Sequence, residues 1–154
     1  MSNISAVQMI VARSTYGLIA TVSLFGIISN FLFFLVIFRS SHLRSTTHIL
    51  IGLCALLDSF HQIGQLYQFP ILFSDGIMET VLHNFVKIIP EMGIHGGCAC
   101  VLCIGLERLT AIVFFAHYKK MGRNRYLMMH LLLILAYSLS APILMIAYYE
   151  PRQV

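Results

Sequence analysis

The chain has 154 residues, of which 58% are hydrophobic and only 10% are charged, and its mean hydropathy is +0.84. A soluble domain carries about 25% charged residues, so the composition excludes an ordinary soluble protein and predicts a membrane protein whose first partner is the lipid bilayer. The formal net charge of +4 does not indicate nucleic-acid binding, because the basic residues fall between apolar runs, where they orient a membrane protein.

The first segment, residues 1–15, is short and fairly polar and lacks the basic start and cleavage site of a secretory signal peptide. Asn3 lies in an Asn-Ile-Ser sequon and is a candidate glycosylation site. An uncharged run then covers residues 16–38, which as a helix is about 34 Å long and can cross a bilayer. Asn30 is the one strongly polar side chain deep within this first predicted span.

The second predicted span covers residues 49–73 and has one charge, Asp58, near its middle. Gln62 and Gln65 follow at helical spacing and His61 lies beside them, so this polar stripe must face protein or water rather than lipid. A buried carboxylate needs a partner or takes up a proton. The amide of the first span is the natural partner, which predicts an intramembrane polar network of two residues.

The third predicted span covers residues 85–115, and Lys87, Glu91 and His95 lie on one of its faces. Glu91 stands about 25 Å above Arg108 along an ideal helix, in the outer third of a bundle. The alternative is a Lys87–Glu91 pair that satisfies itself at the outer interface. The candidate ligand pocket consists of His61, Gln62, Gln65, Glu91 and His95.

A cysteine group and a charged triplet complete this span. The Cys-x-Cys-x-x-Cys spacing of Cys98, Cys100 and Cys103 does not predict a metal site, because the first two point to different faces of a helix. We therefore expect no metal and no cofactor. The triplet Glu107-Arg108-Leu109 ends the apolar run, and a charged pair there requires partners or access to the interface. Its alternative interpretation is an interfacial arginine that snorkels.

The fourth predicted span covers residues 126–149, and residues 150–154 form a stub. Six basic residues lie on one side of the membrane and three on the other, with Arg108 at the edge. The six are Arg39, Arg44, Lys119, Lys120, Arg123 and Arg125; the three are Arg13, Lys87 and Arg152. The positive-inside rule then places both termini outside. The fold class is an all-α membrane protein with four transmembrane helices.

Three motifs follow one another along the chain, each at a particular depth in its predicted span. They are the pair Asn30 and Asp58, the basic turn between these two residues, and the triplet at residues 107–109. Together with the segment around His48 to Gly64, they resemble the nematode serpentine chemoreceptor class called Srsx, a group of rhodopsin-like G-protein-coupled receptors. The resemblance covers about residues 19–149. It implies G-protein coupling at the triplet, an unidentified small-molecule or peptide ligand, and a place in the plasma membrane.

The chain departs from the wider family in three places. Leu109 stands where an aromatic residue is usual, Gly97 where a serine often joins the buried acid, and His83 where a disulfide cysteine is common. The family has seven helices and four fit here, so we expect a partial receptor chain. A four-helix membrane interaction protein and a proton-coupled carrier stay open as alternatives. No catalytic motif is visible, so we expect no enzyme.

Overall fold

The computed structural model describes residues 6–43, 45–73, 80–120 and 122–147. Within these ranges the chain forms five helices and one short 3₁₀ turn at Ser41–Leu43. The helices are α1 (Ala6–Arg39), α2 (Thr46–Phe73), α3 (Thr80–Val113), α4 (Phe115–Lys120) and α5 (Arg123–Ala147). Four of them, α1, α2, α3 and α5, are long and apolar enough to cross a membrane, which confirms the predicted fold class.

The four spans begin before their predicted starts at residues 16, 49, 85 and 126, because a helix continues through polar residues as long as its backbone hydrogen bonds are made. α1 begins at Ala6, so most of the predicted N-terminal segment is helical. α3 begins at Thr80 and ends at Val113, and residues 115–120 form the separate helix α4. The Asn3 sequon, residues 74–79 and the stub at residues 150–154 lie outside the described residues.

α2 starts at a side-chain cap. The backbone N–H of His48 donates to Ser45 Oγ at 3.3 Å, which satisfies one of the free N–H groups of the first turn. Ser45 therefore ends the basic turn and sets the direction in which α2 enters the bundle. This position matters because the next two residues, Thr46 and Thr47, are buried, and Thr47 contacts Glu107 near the C-terminal end of α3.

α3 is central: it packs against α2 and α5, while α1 packs against α2. The buried core is made of small and aliphatic side chains: Leu50, Leu57, Ala99, Cys100, Cys103 and Ile134. Small residues let α2 and α3 approach closely, as membrane helices require. A Cβ built on Gly93 would lie 2.5 Å from His61 N and 2.6 Å from Leu57 O, so only glycine fits at this contact.

The outer faces of the long helices are strongly apolar. Phe25, Val101 and Leu132 are at least 60% exposed, as are many aliphatic side chains along the same faces. A soluble protein rarely exposes continuous apolar surface of this kind. These faces are therefore suited to lipid tails or to further apolar helices.

Candidate functional site

Glu107 is the most buried acid in the described part of the chain, with 4% of its side chain exposed. Its two carboxylate oxygens accept hydrogen bonds from two other helices. Thr47 Oγ1 at the start of α2 donates to Oε2 at 2.8 Å, and the Tyr118 hydroxyl of α4 donates to Oε1 at 2.9 Å. One carboxylate thus joins α2, α3 and α4, and hydrogen bonds to a charged acceptor are among the stronger ones.

Arg108 lies beside this carboxylate but points outward. Its Nε is 3.9 Å from Glu107 Oε2, and 67% of its side chain is exposed. Leu109 is also exposed, at 56%. The triplet therefore consists of a buried, hydrogen-bonded Glu107, an exposed Arg108 within ion-pair distance of it, and an exposed apolar Leu109.

α4 positions Tyr118 through aromatic contacts. Its ring meets that of Tyr126 edge to face, with centroids 5.3 Å apart, and Tyr126 contacts His130 one turn further along α5. Burial raises the pKa of Tyr118, and its hydrogen bond to Glu107 raises that pKa further, because the carboxylate opposes a second negative charge. The hydroxyl therefore stays a donor.

At the end of the helices opposite Glu107, a cavity of about 130 Å³ opens between α2 and α3. It includes three residues of the predicted ligand pocket, His61, Gln65 and Glu91, together with Lys87. The helices touch closely just beside it, since a Cβ on Gly64 would lie 2.5 Å from the Pro90 ring. The structure thus places three of the five predicted pocket residues, from both helices, around one cavity.

The other two predicted pocket residues lie elsewhere. Gln62 faces α1, where its amide oxygen fits against Gly26, and this buried oxygen has no hydrogen-bond partner. His95 lies below the cavity, with its Nε2 at 3.8 Å from Glu91 Oε2 and its ring edge against Tyr137 of α5. His95 thus contacts Glu91, which lines the cavity, and is not itself among the described lining residues.

The predicted pair of Asn30 and Asp58 is not joined by a hydrogen bond in the described part of the chain, and Asp58 is exposed rather than buried. Its carboxylate instead faces α3, because a Cβ built on Gly97 would lie 3.2 Å from Asp58 Oδ1. The reason is rotational: the face of α2 that carries Asp58 turns toward α3, whereas Gln62, four residues later, contacts α1. The expected burial of Asp58 against Asn30 is thus wrong for this four-helix arrangement.

The cysteines divide between two environments. Cys98 is exposed, while Cys100 and Cys103 are buried in the core, so the helix does separate Cys98 from Cys100. Cys100 Sγ donates to Leu50 O at 3.3 Å, and the partly buried Cys54 packs against the same core. Within the ranges the structure describes, no group of three metal-ligating side chains forms.

Sequence reasoning missed Thr47 and Tyr118 as partners of Glu107. Spacing contained no signal for Tyr118, because eleven residues of one continuous helix would place it about 16 Å from Glu107 along the axis; the contact depends on the break between α3 and α4 at Phe114. Thr47 carried no signal either, since its approach to α3 depends on packing. Lys87 was treated only as a partner for Glu91, but among the described residues no ion pair joins the two.

The described chain has four helices able to cross a bilayer, which makes it a multi-helix integral membrane protein. A buried acid lies at one end of these helices and a charged cavity at the other. A sequence model of the family described as serpentine type 7TM GPCR chemoreceptor Srsx matches residues 23–153, and the chain belongs to this family. The resemblance found in the sequence motifs is thereby confirmed. No curated protein and no solved structure matches the chain.

Proposed function

We propose that this chain forms helices one to four of a chemosensory receptor that binds its ligand at the outer end of α2 and α3 and couples to a heterotrimeric G protein at the inner end. The observation that carries the proposal is the buried Glu107, held by two helices while Arg108 stays exposed beside it. An interfacial arginine that only snorkels does not require a neighbouring acid to be buried and doubly hydrogen-bonded.

In the proposed resting state, Glu107 fixes the cytoplasmic ends of three helices. Thr47 and Tyr118 hold the carboxylate, and the carboxylate holds Arg108 at 3.9 Å. On activation Arg108 turns toward the G protein, as in the rhodopsin-like receptors that this triplet resembles. A carboxylate next to a guanidinium favours the resting arrangement, so neutralising the acid shifts the population toward the active state.

The family is named for seven helices, and the described part of this chain has four long enough to span a membrane. In the family, outward motion of helix six opens the G-protein cleft. We therefore propose that signalling requires helices five to seven. Both termini of this chain lie outside the plasma membrane in this proposal, with the basic turns in the cytoplasm.

The test is second-messenger output in cells that express the 154-residue chain with a helix five-to-seven fragment from another Srsx receptor. Glu107→Gln is expected to raise basal output and Arg108→Ala to abolish it, while the exposed Arg125→Ala serves as the matched control and leaves output unchanged. The four-helix chain expressed alone is expected to be silent.

Two results would contradict the proposal. Signalling by the short chain alone would show that helices five to seven are not needed. Equal output from Glu107→Gln, Arg108→Ala and Arg125→Ala, with equal surface expression, would assign the triplet to a structural role and favour a four-helix interaction protein.

A further inference from the structure

The outer cavity carries charges of both signs. Among the described residues, eight line its volume of about 130 Å³: His61, Gly64, Gln65, Tyr67, Lys87, Pro90, Glu91 and Ile94. An ammonium and a carboxylate face the same space from α3, and an imidazole and an amide face it from α2. An apolar odorant would offer no hydrogen-bond or charge partner to any of these four groups, which costs binding free energy.

The two charges do not neutralise each other. Lys87 and Glu91 lie one helical turn apart, about 6 Å along the axis. No ion pair links them in the described structure, where Glu91 instead contacts His95. The His95 contact is long, at 3.8 Å, and both side chains are about one-third exposed. Glu91 therefore keeps the capacity to accept a further cationic donor.

His61 also lines the cavity. Its Nδ1 is buried without a hydrogen-bond partner, so this nitrogen is not accessible from the cavity and does not reach a ligand there. The charges of Lys87 and Glu91 are therefore the groups that select the ligand.

We propose that the cavity binds a small zwitterion, an α-amino acid of about alanine size, with its carboxylate at Lys87 and its ammonium at Glu91. The size follows from volume, because a cavity of about 150 Å³ holds one benzene molecule and this one is slightly smaller. The inference deepens the proposed function and rests on it for the meaning of binding, since it names the class of ligand that the receptor detects.

The experiment measures the thermal unfolding of the complete 154-residue chain in lipid nanodiscs with three probes of nearly equal shape. Alanine carries both charges, lactate only the negative one, and alaninamide only the positive one. Alanine is expected to raise the unfolding temperature by mass action, with lactate and alaninamide at least about tenfold weaker, because each leaves one protein charge unpaired.

Two variants assign the charges. Lys87→Met should remove the preference for alanine over alaninamide, and Glu91→Gln should remove the preference for alanine over lactate. Lys120→Met removes a lysine at the other end of the molecule and keeps both preferences. If either pocket variant fails to fold, the comparison of three probes on the wild-type chain still decides the matter.

Stabilisation by lactate or alaninamide equal to that by alanine would overturn the zwitterion, and so would the absence of any effect from all three. Neither readout involves a G protein. A failure here therefore refutes the ligand class while leaving the test of Glu107 and Arg108 intact, and silence in the signalling assay leaves a positive binding result intact.

Discussion

Removing the Tyr118 hydroxyl tests the three-helix junction at Glu107. Tyr118→Phe keeps the ring that packs on Tyr126 and deletes only the donor to Glu107 Oε1. A hydrogen bond to a charged group contributes about 1.5–3 kcal/mol, so we expect the free energy of unfolding to fall by about 2 kcal/mol. The loss exceeds the roughly 1 kcal/mol of a neutral hydrogen bond because the acceptor is a carboxylate that is only 4% exposed, where water cannot replace the donor.

The expected loss depends on the charge of the acceptor. In a Glu107→Gln background the same Tyr118→Phe change deletes a neutral hydrogen bond, which is worth only about 1 kcal/mol. The double-mutant cycle should therefore give a coupling energy of about 1 kcal/mol between these two residues. Thr47→Val deletes the other donor, to Oε2, and should cost about as much as Tyr118→Phe.

The assay is equilibrium unfolding in mixed micelles, followed by circular dichroism as the fraction of denaturing detergent rises. Tyr137→Phe is the matched control, since Tyr137 is 50% exposed and far from the junction. Thr21→Val is the control for Thr47, because Thr21 bonds only within its own helix, to Gly17 O. Both should stay within about 0.5 kcal/mol of wild type. A Tyr118→Phe loss no larger than that of Tyr137→Phe, or one unchanged by Glu107→Gln, would refute the reasoning.

Gly93→Ala should lower the free energy of unfolding by about 1–3 kcal/mol in the same assay, because the added Cβ meets two backbone atoms of α2 that cannot move aside. The control is Gly105→Ala, which has open space around it and should be neutral or slightly stabilising. A loss from Gly105→Ala as large as that from Gly93→Ala would contradict the close packing of α2 and α3. With the wild-type chain as background control, a cysteine at Ser74 should react with an impermeant thiol reagent on intact cells and one at Ser41 should not; the reverse pattern would invert the proposed orientation. The advantage of wild type over Tyr118→Phe should be constant below about pH 10 and decline as the pH rises through the raised pKa of Tyr118, since ionisation removes the donor. A stability difference between wild type and Tyr118→Phe that stays constant up to about pH 12 would show that the hydroxyl does not contribute to the junction.

Several features of this protein followed from the sequence because they are local. Each long apolar run predicted a span, and a run of this length has no stable alternative in lipid, where a helix satisfies its own backbone. The triplet at residues 107–109 was found near the C-terminal end of the third span because its charges interrupt an apolar run. The order of the polar residues Asn30 and Asp58 and this triplet also identified the family, since motif order and depth along a helix are properties of the chain alone.

The tertiary structure decided which side of each helix meets which neighbour. Asp58 and Gln62 occupy one predicted stripe, yet the first faces Gly97 on α3 and the second faces Gly26 on α1. Residues four positions apart point in directions that differ by about 40° around the helix axis, so two members of one stripe can face different neighbouring helices when the helices pack tightly. The buried Glu107 likewise depended on Thr47 and Tyr118, residues brought to it by the packing of α2 and α4. Hydropathy records how deep a residue lies in the membrane, whereas its partners depend on helix rotation, which is determined by contacts between side chains distant in the sequence.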